Sequence, residues 1–393
     1  MVTLTTADNA LREVYLGVLS NQLNTTINPL LSRINQTTSD VWGKEIRKIA
    51  PYGINGGIGA GTEDGTLPKS AGNNYEQFVL TLKNLYGRVE ISDKAIRASE
   101  NSSGAFVNLL NAELEGLVKA SAFNFGRMLY GDGSGFLADI ESNTESSVTV
   151  DAVTNLIEGM VVDIVSSTGT IIKGSLRIKA IDRANKIVYF TTSELASVTT
   201  ESTGYKLCVQ GSYGNEITGL GAIFKDNGEL YGLDRNTYNW LVPYMKDISS
   251  GTPTDISEVV MQKAIDDLDE QANSKVDFIV CSAGVKRNYQ NYLASYRSNI
   301  NVMELEGGFK AISYNGIPLV SDRFVPANTM FMLNTSEFNL HQLCDWKWLE
   351  SEEGRIIKQT PGKATYQATL VKYADLICNK PSGQAKITGI KES

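Results

Sequence analysis

Leu129-Tyr130-Gly131-Asp132-Gly133-Ser134-Gly135 is a helix-ending turn: glycines set around one aspartate and one serine cannot continue a helix. The residues before it prepare that ending. Phe106, Leu109, Leu110, Leu114, Leu117, Val118, Phe125, Met128 and Leu129 keep one face of a helix apolar over about five turns. A long amphipathic helix that stops at a glycine turn is therefore the element around which the rest of the chain is placed.

Toward the N-terminus, Phe78, Leu80 and Leu82 alternate as in a strand, and Tyr52-Gly53-Ile54-Asn55-Gly56-Gly57-Ile58-Gly59-Ala60-Gly61 opens a polar stretch that runs to Asn74. Together they read as a long two-stranded excursion with a flexible glycine-rich tip. A hairpin of that length is marginally stable alone in water, so its strands are expected to lie against something else, a neighbouring subunit first of all. Further upstream, Leu11, Val14, Tyr15, Val18, Leu19 and Leu23 predict a short amphipathic helix behind a Thr5 cap. Asn24-Thr25-Thr26-Ile27-Asn28-Pro29 breaks it, and the polar residues up to Ala50 read as an arm along other surfaces.

Toward the C-terminus the texture changes at Ser147. Short β runs at Met160 to Val165, Leu176 to Ile181, Lys186 to Thr191 and Tyr205 to Val209, separated by polar turns, predict a small inserted barrel or sandwich. Beyond Gly219 a helix from Asp255 to Ala272, laddered by Ile256, Val260, Ala264 and Leu268, is followed by a strand from Val276 to Cys281 and a helix bearing Val285, Tyr289 and Leu293. Strands are expected at Ile317 to Val320, Met330 to Leu333, Ala368 to Val371 and Ala374 to Cys378. The fold class is α+β.

The 393 residues are enough for two or three packed domains, and no apolar run approaches a membrane span. Met1 to Asp8 carry no basic cluster ahead of an apolar stretch, so synthesis in a cytoplasm without a secretory signal is expected. With 36 basic against 44 acidic residues, a net charge of −8 argues against a broad basic face that grips nucleic acid. Cys208, Cys281, Cys344 and Cys378 have no metal-type or redox-type spacing and read as small buried hydrophobes.

Chemistry-bearing motifs are sparse. His341 is the single histidine, which leaves Ser-His-Asp, Cys-His and multi-histidine metal sites without their usual components. Gly57-Ile58-Gly59-Ala60-Gly61 lacks the preceding strand and following helix of a phosphate-cradling loop. The serine between glycines at Ser134 follows a helix, whereas a nucleophile elbow follows a strand. Asp266, Asp267, Asp269 and Glu270 fan outward from a helix and read as a solvated face. No catalytic, cofactor-binding or metal-ligating set is expected, and the chain reads as a non-enzyme. Tyr189, Tyr205 and Tyr213 in the β-rich insertion leave a carbohydrate-binding module as one alternative.

The order of parts, arm, glycine-tipped hairpin, long helix ending in Leu129-Tyr130-Gly131-Asp132-Gly133, then α+β domain, resembles the major capsid proteins of tailed bacteriophages, the Hong Kong 97-type fold. So do Ile217-Thr218-Gly219-Leu220 and the closing Ala385-Lys386-Ile387-Thr388-Gly389-Ile390. The resemblance implies an N-terminal arm over 1–50, an extended loop over 51–92 and a peripheral domain with its spine helix over 93–146. It further implies a β-rich insertion over 147–214, an axial domain over 215–345, and C-terminal strands over 346–393 returning to the peripheral domain.

Function by resemblance is a self-assembling icosahedral head of pentamers and hexamers that encloses double-stranded DNA without sequence-specific binding. The implied partners are copies of itself, portal and scaffolding proteins and a possible decoration protein, with no membrane. The implied location is the virion, after synthesis in the host cytoplasm. An encapsulin-like nanocompartment shell is the alternative within the same fold. Some relatives cross-link lysine to asparagine, and Lys69 lies near the expected loop tip, but no partner for it is assigned.

Overall fold

The computed structural model describes residues 28–94, 103–191, 195, 204–295, 302–304, 310–350 and 356–393; within the long helix, side chains are described at 113 and from 115 onward. The expected N-terminal helix lies outside the described residues.

The chain begins with β1 (Asn35–Thr37), β2 (Val41–Trp42), β3 (Glu45–Tyr52), β4 (Asn74–Thr81) and β5 (Lys83–Ser92), then enters α1 (Ser103–Met128). Six strands follow: β6 (Phe136–Asn143), β7 (Ser147–Val150), β8 (Val161–Val165), β9 (Ile171–Asp182), β10 (Ile187–Phe190) and β11 (Lys206–Val209). One short pair and a further strand, β12 (Glu229–Leu230), β13 (Leu233–Asp234) and β14 (Tyr244–Asp247), lead to α2 (Glu258–Ala272), β15 (Phe278–Cys281) and α3 (Ala283–Ser295). The C-terminal third is β16 (Val302–Glu304), β17 (Lys310–Tyr314), β18 (Ile317–Ser321), β19 (Met330–Leu333), β20 (Phe338–Trp348), β21 (Lys358–Gln359), β22 (Thr365–Cys378) and β23 (Ala385–Thr388).

Two mixed layers form the body. In the seven-stranded sheet β14-β23-β19-β15-β18-β17-β16, alternation sorts side chains to two cores. Ile279, Cys281, Met330 and Met332 pack toward α2 and α3, whereas Phe278, Val280, Phe331 and Leu333 join the larger core that also holds the end of α1. A sheet buried on both faces reads as unbroken apolar runs, which is why these strands were legible in the sequence. The second sheet, β1-β20-β22-β21 with β5 on β22, carries α1 on one face. Val118, Phe125, Met128 and Leu129 of the long stripe are all buried, and so is Ala122 beside them. Gly126 lets the Phe324 ring approach, since a Cβ at that position would sit 2.9 Å from Phe324 Cε2.

The helix ends as expected. Gly131 N–H donates to the Met128 carbonyl at 3.1 Å. Gly133 and Gly135 then take φ of +82°, the left-handed region that glycine enters without steric penalty.

Four elements differ from the sequence expectation. The hairpin partner of β4 is β3, which pairs with it from Glu45↔Thr81 to Tyr52↔Asn74, while β5 turns away to pair with β22. Only Ile46 and Ala50 of β3 face the core, so its polar side masks it as irregular arm. The inserted β unit is a closed barrel, β10-β7-β6-β11-β8-β9, and it recruits β6 immediately after the glycine turn.

Helix α2 starts later than its apolar ladder, because Ser257 caps it by accepting from Val260 N at 3.4 Å. Its buried stripe is therefore Met261, Ala264, Leu268 and Ala272, with Asn273 closing it at φ 43°. Finally, the two expected C-terminal runs are one strand, β22, continuous through Lys372 and Tyr373, and its long partner β20 had no strong alternating signal of its own.

Candidate interaction surfaces

The hairpin β3–β4 is the most exposed feature among the described residues. Between its strands, residues 53–73 form no helix or strand and lie on the surface, with Leu67 90% exposed. Its two faces differ. Ile46, Ala50, Phe78 and Leu80 turn inward and are buried. Trp42 (71% exposed), Ile49 (65%), Tyr75 (58%) and Val79 face solvent. Because side chains at i and i+2 share a face and Ile49 and Val79 are two register steps apart, these residues lie on one outer face, interspersed with Glu45, Arg47 and Gln77.

An aromatic clamp holds the strands of this hairpin to the body up to the start of the tip. Tyr52 stacks on Trp240 with ring centroids 5.2 Å apart and planes 5° off parallel. Phe78 packs on Tyr231 at 5.0 Å and on Trp240 at 5.9 Å. Polar contacts fix the register: Val79 N–H donates to the Tyr231 carbonyl at 3.0 Å, and the Tyr238 hydroxyl donates to Glu76 Oε1 at 2.9 Å. Ring pairs of this kind each add about 1 kcal/mol beyond the area they bury.

The two motifs that single out this chain meet in space. Leu220 N–H donates to the Leu129 carbonyl at 2.8 Å. A Cβ on Gly219 would lie 2.3 Å from the Met128 carbonyl oxygen and 2.6 Å from that of Gly131, so only glycine fits. Beside them the Arg127 guanidinium donates to the Glu216 carboxylate, both side chains almost fully buried, and to Asn124 Oδ1 at 2.7 Å. Asp375 accepts from Thr218 and is pushed up to about 6 by burial. A charged pair with its remaining valences filled is the arrangement that makes burial tolerable.

Residues considered for chemistry on sequence grounds stay apart. His341 is buried on β20, its Nδ1 2.9 Å from the Ser39 carbonyl, and burial holds its pKa below the usual histidine value. Asp266, Asp269 and Glu270 point to solvent. Among the described residues, no group of three or more His, Cys, Asp or Glu side chains could hold a metal ion. Cys208, Cys281 and Cys378 are buried thiols and Cys344 is half-buried, all free. Lys69 is exposed in the hairpin tip. Tyr189 and Tyr213 are partly exposed on the barrel, and the Tyr213 ring lies 5.6 Å from that of Phe136. No described helix is long and apolar enough to cross a membrane.

Sequence reasoning missed Lys372, which has no solvent exposure. Its ammonium donates to Gln342 Oε1 at 2.7 Å and Asp345 Oδ1 at 2.6 Å, over the Phe125 and Trp346 rings. Burial lowers its pKa. A lysine between two strand-like runs was the available signal, but the pleat that turns it toward α1 is set by pairing with β5 and β20.

No protein-family model matches this chain, and no curated protein does. Among solved structures it is similar to a chain of the cyanophage A-1(L) capsid asymmetric unit, with a TM-score of 0.54 at 12% identity over 93% of each chain. It is also similar to a chain of the holo-SrpI encapsulin complex from Synechococcus elongatus PCC 7942, with a TM-score of 0.46 at 11% identity over 95% of each. A third is the capsid of Myoviridae phage XM1, with a TM-score of 0.44 at 10% identity over 93% of this chain and 92% of that one.

Proposed function

We propose that this chain, which has the fold of tailed-phage major capsid proteins, is the major head protein of such a phage, assembling as pentamers and hexamers into an icosahedral shell around double-stranded DNA. The observation that carries the reading is the hairpin β3–β4, whose outer face exposes Ile49, Tyr75 and Val79, with Trp42 on the neighbouring β2, and whose tip, residues 53–73, extends past the clamped Tyr52. A single copy leaves that face in water. A closed shell makes several non-equivalent contacts per chain, and projecting segments supply those that compact domains cannot. In this reading the hairpin reaches over an adjacent copy through its tip, residues 53–73, while β5 stays in the body on β22; residues 215–345 pack around the symmetry centres, and the barrel is an insertion.

A net charge of −8 suits a container that encloses DNA without gripping it. Many weak contacts repeated around the shell supply the avidity. Portal and scaffolding proteins are the expected partners, with a decoration protein as a further one, and the virion is the expected location.

Negative-stain microscopy of the chain expressed alone and with its neighbouring genes tests this. Closed shells or capsomer rings are expected. Deleting residues 56–72 should leave a folded subunit that forms no stable shell. Dispersed monomers in both preparations sink the reading, and particles that hold protein cargo and no DNA replace it with a nanocompartment.

A further inference from the structure

The barrel closes in the ring order β6-β7-β10-β9-β8-β11, which places β6 and β9 on opposite walls. One side of that ring is turned to the body. Cys208 on β11 is buried near Arg127 and Glu216, and Val209 lines one cleft with Phe125 and Trp346, while Asp163 on the adjacent β8 accepts from Gly211 N, in the loop that leaves β11, at 2.9 Å. Strand β10, opposite β11 in the ring, consequently faces away from the body, and β6 and β9 form opposite flanks.

The flanks carry opposite charge. Along β6, Asp139 and Glu141 are exposed while Ile140 between them is buried. Asp151 extends the acidic side, accepting from Asp139 N at 2.7 Å, and Lys206 offsets it in part by pairing with Asp139. Along β9, Arg177 and Lys179 are exposed while Leu176 and Ile178 turn into the barrel. Neither cation has an ion-pair partner among the described residues. The ladder sets Arg177 beside Val161, Lys179 falls at the register shift between Ala180 and Ile178, and the nearby Glu158 pairs with Arg183.

We infer that the two flanks are the two halves of one contact between copies: Arg177 and Lys179 of one barrel face Asp139 and Glu141 of the next. The contact rests on the shell reading above. Opposite flanks on a rigid barrel cannot meet within one chain. Rotation about a symmetry axis brings β9 of each copy to β6 of its neighbour, a head-to-tail contact that closes as a ring. Flank ion pairs at the rim of such a contact mainly choose the partner and its register, and they weaken with salt.

The test is a charge swap in the full-length chain, with particle yield read by sedimentation and microscopy. Lys179→Glu and Glu141→Lys each set like charges together and should each lower the yield on the order of tenfold, while leaving the melting temperature of the dissociated subunit unchanged. The double variant should restore it. A carbodiimide bond between Glu141 and Lys179 should form in wild-type particles built from a mixture of isotope-labelled and unlabelled chains, and it should join chains of different label.

Wild-type particles whose yield neither substitution changes, with no such bond, overturn this contact and leave the shell reading standing. Loss with Lys179→Glu that Glu141→Lys does not repair assigns β9 to another acidic partner and also overturns it. Absence of particles from the wild type overturns both readings.

Discussion

Asp375 and Thr218 are joined by two hydrogen bonds, the Thr218 backbone N–H donating to Oδ1 at 2.6 Å and its hydroxyl to Oδ2 at 3.2 Å. The pair ties the loop that follows the barrel to the middle of β22. Its carboxyl is fully buried, which raises its pKa from 3.8 to about 6 despite these two donors and a third, the Leu376 backbone N–H.

That shift sets a pH dependence. Between pH 3.8 and about 6 the folded chain holds a proton on Asp375 that the unfolded chain has released, so the contribution is present in full below the lower value and is lost as pH rises through the upper one. Asp375→Asn keeps the shape and removes the titration. Denaturation of both proteins at pH 4 and pH 7 should show the wild type losing stability relative to the variant by on the order of 3 kcal/mol. Parallel pH profiles would refute the assignment.

Gly219→Ala should destabilise the subunit by about 3 kcal/mol or more, because the added methyl meets three backbone carbonyl oxygens that no side-chain rotation can move. Gly43→Ala, with open space around it but φ of +65°, should cost only about 1 kcal/mol. Chemical denaturation of the two variants side by side measures the difference.

Trp240→Ala removes the ring on which Tyr52 stacks and against which Phe78 packs. The expected result is faster amide exchange in β3 and β4 with β15 and β19 much less affected, since the other face of those two strands is buried in a separate core with α2 and α3. Equal loss of protection throughout would show that the hairpin is not a separate unit.

Lys372→Met should leave stability within about 1 kcal/mol of wild type, because a chain of similar length fills the space over Phe125 and Trp346 without a charge to desolvate. Asp345→Ala, which strands the buried ammonium, should cost about 2 kcal/mol. Thermal melts that rank the two variants the other way would show that the ion pair is a net source of stability.

What could be read in advance follows from how each element is buried. Strands with both faces covered, such as β15 and β19, spell continuous apolar runs, and helix α1 spells its stripe and its glycine stop. Strand β3 shows only Ile46 and Ala50 to the core, so neither signal survives. The outer face of the hairpin was invisible for the same reason: Trp42, Ile49, Tyr75 and Val79 come to share it only when β2, β3 and β4 are set in register.

The sequence alone determined the long helix and its end, the β texture of the insertion, the α+β body, and the poverty of catalytic residue types. All of these depend on local periodicity and on residue identity. Only the tertiary structure decided that β5 abandons the hairpin for β22, that Gly219 lies against the end of α1, and that the barrel sets Arg177 and Lys179 on the wall opposite Asp139 and Glu141. Those relationships come from strand pairing and ring closure between distant segments, and the free energy that selects them resides in contacts no single stretch of chain contains.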